Sequence, residues 1–267
     1  MGTREPREPH TPTCSGNRLL SLSSLVVTIS IILPAFNEAR LLPTSLAAVH
    51  AARRAFDRVQ WTSEVIVCDN NSTDATAQIA REHGARVVFE PVNMIARARN
   101  AGASVATGDW LLFIDADSQP SIELFNAMIE AIQSGRVLAG GATVRMDSDE
   151  LRGRIGTAFW NTVSRLRGLM AGSFIFVEAA AFRQIGGFSG QFYAAEEIDF
   201  THRLRPLARA SNRRIVILSK TPLLTSARKL KLYTPREIGR LILSAVLRPK
   251  ATLTNKQACH LWYDGRR

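Results

Sequence analysis

Four short apolar runs, each closed by a polar loop and followed by a helical pattern, constrain this chain more than any other feature. They are Val26 to Leu33, Glu64 to Cys68, Ala85 to Glu90 and Trp110 to Ile114. Helical patterns separate them: Leu41, Leu42, Leu46 and Val49 share one face, a second helix stops at Gly84 with Ser72 available as its cap, and a third runs from Ile95 to Ala106. Strands that alternate with helices pair in parallel, and the crossovers cover both faces of the sheet. All the loops that follow the strands then lie along one sheet edge, where ligands of open α/β sheets bind. Beyond Pro120 the order loosens, with helices expected over 121–133 and 151–169 and strands near 138–145, 173–177 and 215–218. The expected fold class is therefore α/β: a Rossmann-like, mostly parallel sheet flanked by helices, with a mixed, more irregular C-terminal half.

A chain of 267 residues with 46% hydrophobic content can bury one substantial core. Residues 1–24 read as a disordered leader rich in Pro, Thr, Arg and Glu, 25–230 as the main domain (halves 25–120 and 121–230), and 231–267 as a basic helical extension. The apolar stretch Leu19 to Leu33 is too short to span a bilayer, so a cytoplasmic location is expected. Cys14, Cys68 and Cys259 are scattered and form neither a zinc spacing nor a disulfide framework. His50, His83, His202 and His260 do not cluster. Sixteen of the 34 Lys and Arg residues fall after residue 200, against only Glu237 and Asp264 there. This favours phosphate groups or an anionic membrane surface as partners. Nucleic acid is not expected, because the basic segment lacks a binding motif or interleaved aromatics.

The strand Trp110–Ile114 delivers Asp115-Ala116-Asp117 to the sheet edge. Two hard oxygen donors there suit Mg²⁺ or Mn²⁺ completed by substrate phosphates, with Gln119 able to add a third oxygen. At other strand ends, Pro34 and Ala35 turn backbone groups toward a nucleotide, Glu38 could accept from ribose hydroxyls, and Asp69 could contact a base. Arg97 and Arg99 cannot share a helical face, so at most one reaches a phosphate. Glu196, Glu197 and Asp199 crowd three acids into four residues, which raises pKa values and suits a general base. Arg228 could neutralise a departing diphosphate.

Four segments in order, SIILPAFNEARLL, EVIVCDNNSTDAT, ARARNAGASVATGDWLLFIDADSQP and GGFSGQFYAAEEIDFTHRL, resemble glycosyltransferase family 2, whose nucleotide-sugar-binding fold is called GT-A. The resemblance implies an inverting transferase that moves a sugar from a UDP- or GDP-linked donor to an acceptor hydroxyl or lipid phosphate, in cell-envelope glycan or glycolipid synthesis. It implies metal binding by Asp117 with Asp115 on ribose or assisting, a uracil contact for Asp69, and Arg99-Asn100 as the matching helical pair. Gln119 stands where polyprenyl-phosphate sugar synthases of the family carry Gln. The family's base is usually Asp where Glu197 stands, which leaves Glu196 or Asp199 as substitutes. A nucleotidyltransferase is the rival enzyme, but such enzymes open with a Gly-rich basic loop where this chain has PAFNEA. A non-catalytic nucleotide-binding module leaves the acidic loops unexplained. Finally, residues 236–248 place Ile238, Leu241, Ile242, Ala245 and Val246 at helical spacing among Arg236, Arg240 and Arg248, up to a stop at Pro249. Such a helix either lies peripherally on the inner membrane face or packs on the domain.

Overall fold

A computed structural model describes residues 26–148, 150–228 and 232–263; the leader, Cys14 and Asp264 lie outside them. Strands β1 (Thr28–Ala35), β2 (Thr62–Asp69), β3 (Arg86–Phe89), β4 (Trp110–Ile114), β5 (Ser118–Gln119), β6 (Val137–Met146), β7 (Phe174–Glu178) and β8 (Arg214–Thr225) form one eight-stranded sheet. Their order is β3-β2-β1-β4-β7-β6-β8-β5. Six strands run one way; β7 lies antiparallel between β4 and β6, and β5 antiparallel to β8. The sheet is mainly parallel, as the alternation requires.

Residue alternation along the central strands divides the core. Ile31, Leu33 and Leu112 face α1 (Leu42–Ala52), the 3-10 helix Arg53–Val59 and α4 (Ile122–Gln133), where Phe56, Phe125 and Met128 are buried. Ile32, Leu111 and Phe113 face the other way, toward α3 (Ile95–Ser104), α6 (Ala179–Gln184) and α7 (Glu196–Ala210), where Phe188 stacks on Phe200 and meets Phe182 edge-on. Cys68 is buried in this layer and burial pushes its thiol up to about 12, so its role is packing. Gly108 has no room for a side chain, since a Cβ would stand 2.7 Å from the backbone N of Ser30.

Several local details differ from the sequence reading. The second helix, α2 (Thr76–Glu82), is not capped by Ser72. Asp74 instead accepts from the Thr76 amide, while Ser72 Oγ accepts from the Asn37 amide across to the neighbouring loop. Helix α5 (Leu151–Arg167) ends at Gly168 in the left-handed conformation, φ 57°. Pro235–Leu247 forms α8, opened by a capping box between Thr234 and Glu237. Pro249 does not end the helical region; it opens α9 (Pro249–Leu253), consistent with proline at a first helical turn. Then α10 (His260–Tyr263) turns back over the sheet edge. Leu241 and Ala245 of α8 are half-buried, Leu243 and Leu247 are exposed, and the side chains of Ile238, Ile242 and Val246 lie outside the described residues. No helix among the described residues is long and apolar enough to cross a membrane.

Candidate functional site

Strand register brings the loops together. Ala35 pairs with Asp69 and Ile32 with Phe113, so β1, β2 and β4 end on the same edge. Because β7 is antiparallel, its start lies there too, and the Asp115 amide donates to Ser173 O. Thr225 at the end of β8 pairs with both Ser118 and Met146, which carries Ser226, Ala227 and Arg228 to the same place.

Two adjoining cavities open along this edge. The smaller, about 70 Å³, is lined by Pro34, Ala35, Glu38, Ala116 and Arg228, all expected from the sequence. Its wall also includes Asn70, Ile95 and Tyr263. The larger, about 280 Å³, is lined by Arg99, Glu196 and Glu197 together with Trp160, Gly172 and Tyr193. Asp115 and Asp117 line both.

Arg99 organises the floor. Its side chain is 1% exposed and donates to Glu196, to Asp115 at 3.1 Å and to the Gly172 carbonyl at 2.8 Å. Burial alone would lower its pKa, but Glu196 and then Asp115 override that and hold the guanidinium charged. Arg99 is therefore an internal tie between the two acidic motifs. Arg97 is half-exposed and pairs with Glu90 at 2.9 Å. Gly172 leaves the space for this cluster, since a Cβ there would stand 3.0 Å from Arg99 Nη2 and 3.6 Å from Glu197 Cδ. Removing Arg99 would leave Glu196, 4% exposed, as a buried charge without its partner. Arg99→Ala should destabilise the fold by about 3–5 kcal/mol, read as a lowered denaturant midpoint at unchanged slope; Arg99→Lys, a point charge that cannot bridge three acceptors, should recover only part. A midpoint in Arg99→Ala equal to that of the parent would refute this role.

Glu197 keeps partial access to the cavity, yet the surrounding protein dominates its titration. Burial first, and then the Glu196 carboxylate, push its carboxyl up to about 8 against the opposing pull of Arg99. The turn that presents it holds Ala195 at φ 61°, an uncommon conformation for a residue with a Cβ. Asp199 lines neither cavity; it forms an i,i+4 pair with Arg203 at 2.7 Å. Across the site, Arg228 grips both Glu38 oxygens at 2.7 and 2.8 Å and stands 3.8 Å from Asp117. Glu38 lies four residues before α1 begins. Asp69 is buried, accepts from the Ser72 amide and lines neither cavity. Its neighbour Asn70 does, while tying Glu90 O, Val92 O and the Met94 amide. Gln119, on β5, pairs with Leu224 of β8 and also lines neither.

Tyr263 is the residue that sequence reasoning missed most completely. Its hydroxyl donates to Tyr193 O at 2.8 Å and accepts from the Ile95 amide at 3.4 Å. No local pattern announces that a residue near the chain's end completes a wall begun at Pro34.

Among the described residues no three His, Cys, Asp or Glu side chains gather as a metal cage. The donor set has a different character. Glu38 pairs with Arg228, Asp115 and Glu196 pair with Arg99, and Asp117 stands 3.8 Å from Arg228. Asp115 and Asp117, two hard oxygen donors that line both cavities, fit a divalent cation that keeps most of its coordination for substrate phosphates.

The chain resembles known proteins in both sequence and shape. It is 36% identical over 113 residues to an uncharacterised glycosyltransferase of Mycobacterium tuberculosis, covering 42% of this chain and 47% of that one. It thus spans about half the length of the curated relatives it matches. A mannosyltransferase of Pyrobaculum calidifontis, solved with GDP-mannose and Mn²⁺, superposes with a TM-score of 0.62 at 20% identity, over 82% of this chain and 61% of that one. Glucosyl-3-phosphoglycerate synthase of M. tuberculosis, solved with Mn²⁺, UDP-glucose and phosphoglyceric acid, gives 0.55 at 19% identity, over 88% and 80%. These likenesses identify the fold as GT-A. The sequence profile described as "Glycosyl transferase family 2" matches residues 30–189, taking in β1 through α6 and with them the carboxylates of β4, Arg99 and Gly172, and the chain belongs to that family.

Proposed function

We propose that this transferase moves a sugar from a UDP- or GDP-linked donor to an acceptor hydroxyl or lipid phosphate by metal-assisted direct displacement, with inversion at the anomeric carbon. The observation that carries this reading is that Asp115 and Asp117 line both cavities at once. The smaller cleft, with Pro34, Ala35, Glu38, Ala116 and Arg228, takes the nucleotide and diphosphate. The larger cavity, with Glu197 on its wall, takes the acceptor. Two structural neighbours carry a nucleotide sugar with Mn²⁺, which supports a metal-assisted nucleotide-sugar donor here.

A divalent cation held by Asp117 with Asp115 would supply charge neutralisation for the leaving diphosphate. Arg228, released from Glu38 and turned to a phosphate oxygen, adds a second positive charge on that side. Glu197 accepts the proton of the attacking hydroxyl as its oxygen bonds to the anomeric carbon and the bond from that carbon to the diphosphate breaks. Attack from the face opposite the leaving group inverts the centre. A phosphate acceptor needs no base, and Glu197 would then position it.

The test is a thermal-shift series of nucleotides and nucleotide sugars with and without Mn²⁺. A bound donor at about 100 times its Kd stabilises the native state by about 2.7 kcal/mol. The expected result is a rise in Tm for UDP- or GDP-sugars only when Mn²⁺ is present, followed by release of the free diphosphate on adding acceptor. No shift with any nucleotide sugar in Mn²⁺ would sink the donor assignment.

A further inference from the structure

Helix α5 is amphipathic in the reverse sense to a helix that packs on a core. Its inward face carries Gly153, Thr157 and Ser164, all buried, and Asn161 docks it by exchanging hydrogen bonds with both the amide and the carbonyl of Val144, at 3.0 and 2.8 Å. Its large apolar side chains point outward: Leu151, Ile155, Phe159 and Leu166 are 61–80% exposed. Spacings of four, four and seven residues put them on one face. A packed helix buries such side chains, so this face is built to be covered by something other than its own domain.

Charge selects the occupant. The helix sequence contains Arg152, Arg154, Arg165 and Arg167 and no acidic residue, and the side chains of Arg154, Arg165 and Arg167 are exposed. A second copy of the same face would set arginines against arginines, a repulsive arrangement. An anionic lipid interface instead accepts the apolar stripe among its acyl chains and the guanidinium groups at its phosphates. We infer that α5 is a membrane-docking helix, lying on an anionic bilayer without crossing it. Trp160, on the other side of the same helix, lines the larger cavity. Docking would therefore hold that cavity beside the lipid headgroups and select acceptors that reside there, a consequence that rests on the assignment of the larger cavity to the acceptor.

The experiment is flotation of the full chain with phosphatidylcholine vesicles, with and without phosphatidylglycerol, in the absence of donor and acceptor. It therefore reads docking separately from transfer. The parent should float with anionic vesicles only and release as salt rises. Ile155→Ser/Phe159→Ser alters two exposed side chains, so its Tm should match the parent while its partition onto vesicles falls by about tenfold or more. Arg154→Gln/Arg165→Gln should weaken binding to anionic vesicles alone. Leu243→Ser/Leu247→Ser on α8 should retain binding. The inference is overturned if the parent does not float, if binding is lost in the α8 variant but kept in the α5 variant, or if light scattering shows a dimer that Phe159→Ser dissolves.

Discussion

Transfer by Asp117→Ala should fall to background while the protein stays folded. The side chain ends a loop beyond β4 and is in contact range of Arg228 at 3.8 Å, whereas Arg228 retains its two shorter bonds to Glu38. The backbone of the loop is held independently, with the Ser226 amide donating to Asp117 O at 3.2 Å. Tm should therefore change little. Loss of the proposed metal anchor removes several kcal/mol of transition-state stabilisation, about 10³-fold or more in rate. EDTA should reproduce the loss in the parent, and Mn²⁺ should restore the parent but not the variant. Full transfer in EDTA, or in Asp117→Ala, would exclude the metal-assisted route.

Glu197→Gln should separate stability from activity. With a hydroxyl acceptor, removal of the base costs about 10²–10⁴ in kcat while donor binding persists. In the parent, kcat/KM should rise with pH as Glu197 loses its proton near the value of about 8 in the free protein, and the variant should lose this limb. Stability should move the other way. The folded-state pKa lies above the ordinary 4.5, so the folded protein binds the extra proton between the two values. The parent's stability is fully present below about 4.5 and declines as pH rises through about 8. The Gln variant has nothing to ionise there, so its advantage should grow across this window to a few kcal/mol, at about 1.4 kcal/mol for each tenfold change in proton concentration. Urea midpoints of both proteins from pH 5 to about 9 measure it. Equal pH slopes would rule out the raised pKa, and normal turnover by Glu197→Gln would move the base elsewhere.

The carboxylates of this site are legible in the sequence because strand periodicity is local. A five-residue apolar run followed by Asp-Ala-Asp has one reading once three similar runs precede it, and parallel pairing then fixes the edge. Glu196 and Glu197 stand out through their density of charge. What the chain does not announce locally is which charges meet. Arg228 lies 190 residues from Glu38 and Arg99 lies 97 from Glu196, and no period links such pairs. The strand near 173–177 is expected from its sequence, but the same limit hides its antiparallel insertion between β4 and β6, beside which the Gly172 carbonyl meets Arg99. Asp69, at a strand end that fits a ligand contact, accepts from the Ser72 amide and lines neither cavity. Local hydrogen bonding is similarly a competition among neighbouring side chains: Asp74, not Ser72, accepts from the first amide of α2, and Ser72 turns to the Asn37 amide.

The placement of Tyr263 also sets an order of assembly. During synthesis the chain appears from its N terminus, and the strands and every carboxylate of the site lie before residue 229. The hydroxyl that joins Tyr193 to Ile95 belongs to a residue more than thirty positions later. A nascent chain that has exposed only the sheet can thus hold its acidic loops in register while one wall of the smaller cleft is still missing. The smaller cleft is completed after the sheet, so a ribosome-bound intermediate would have the sheet before it has that whole cleft wall.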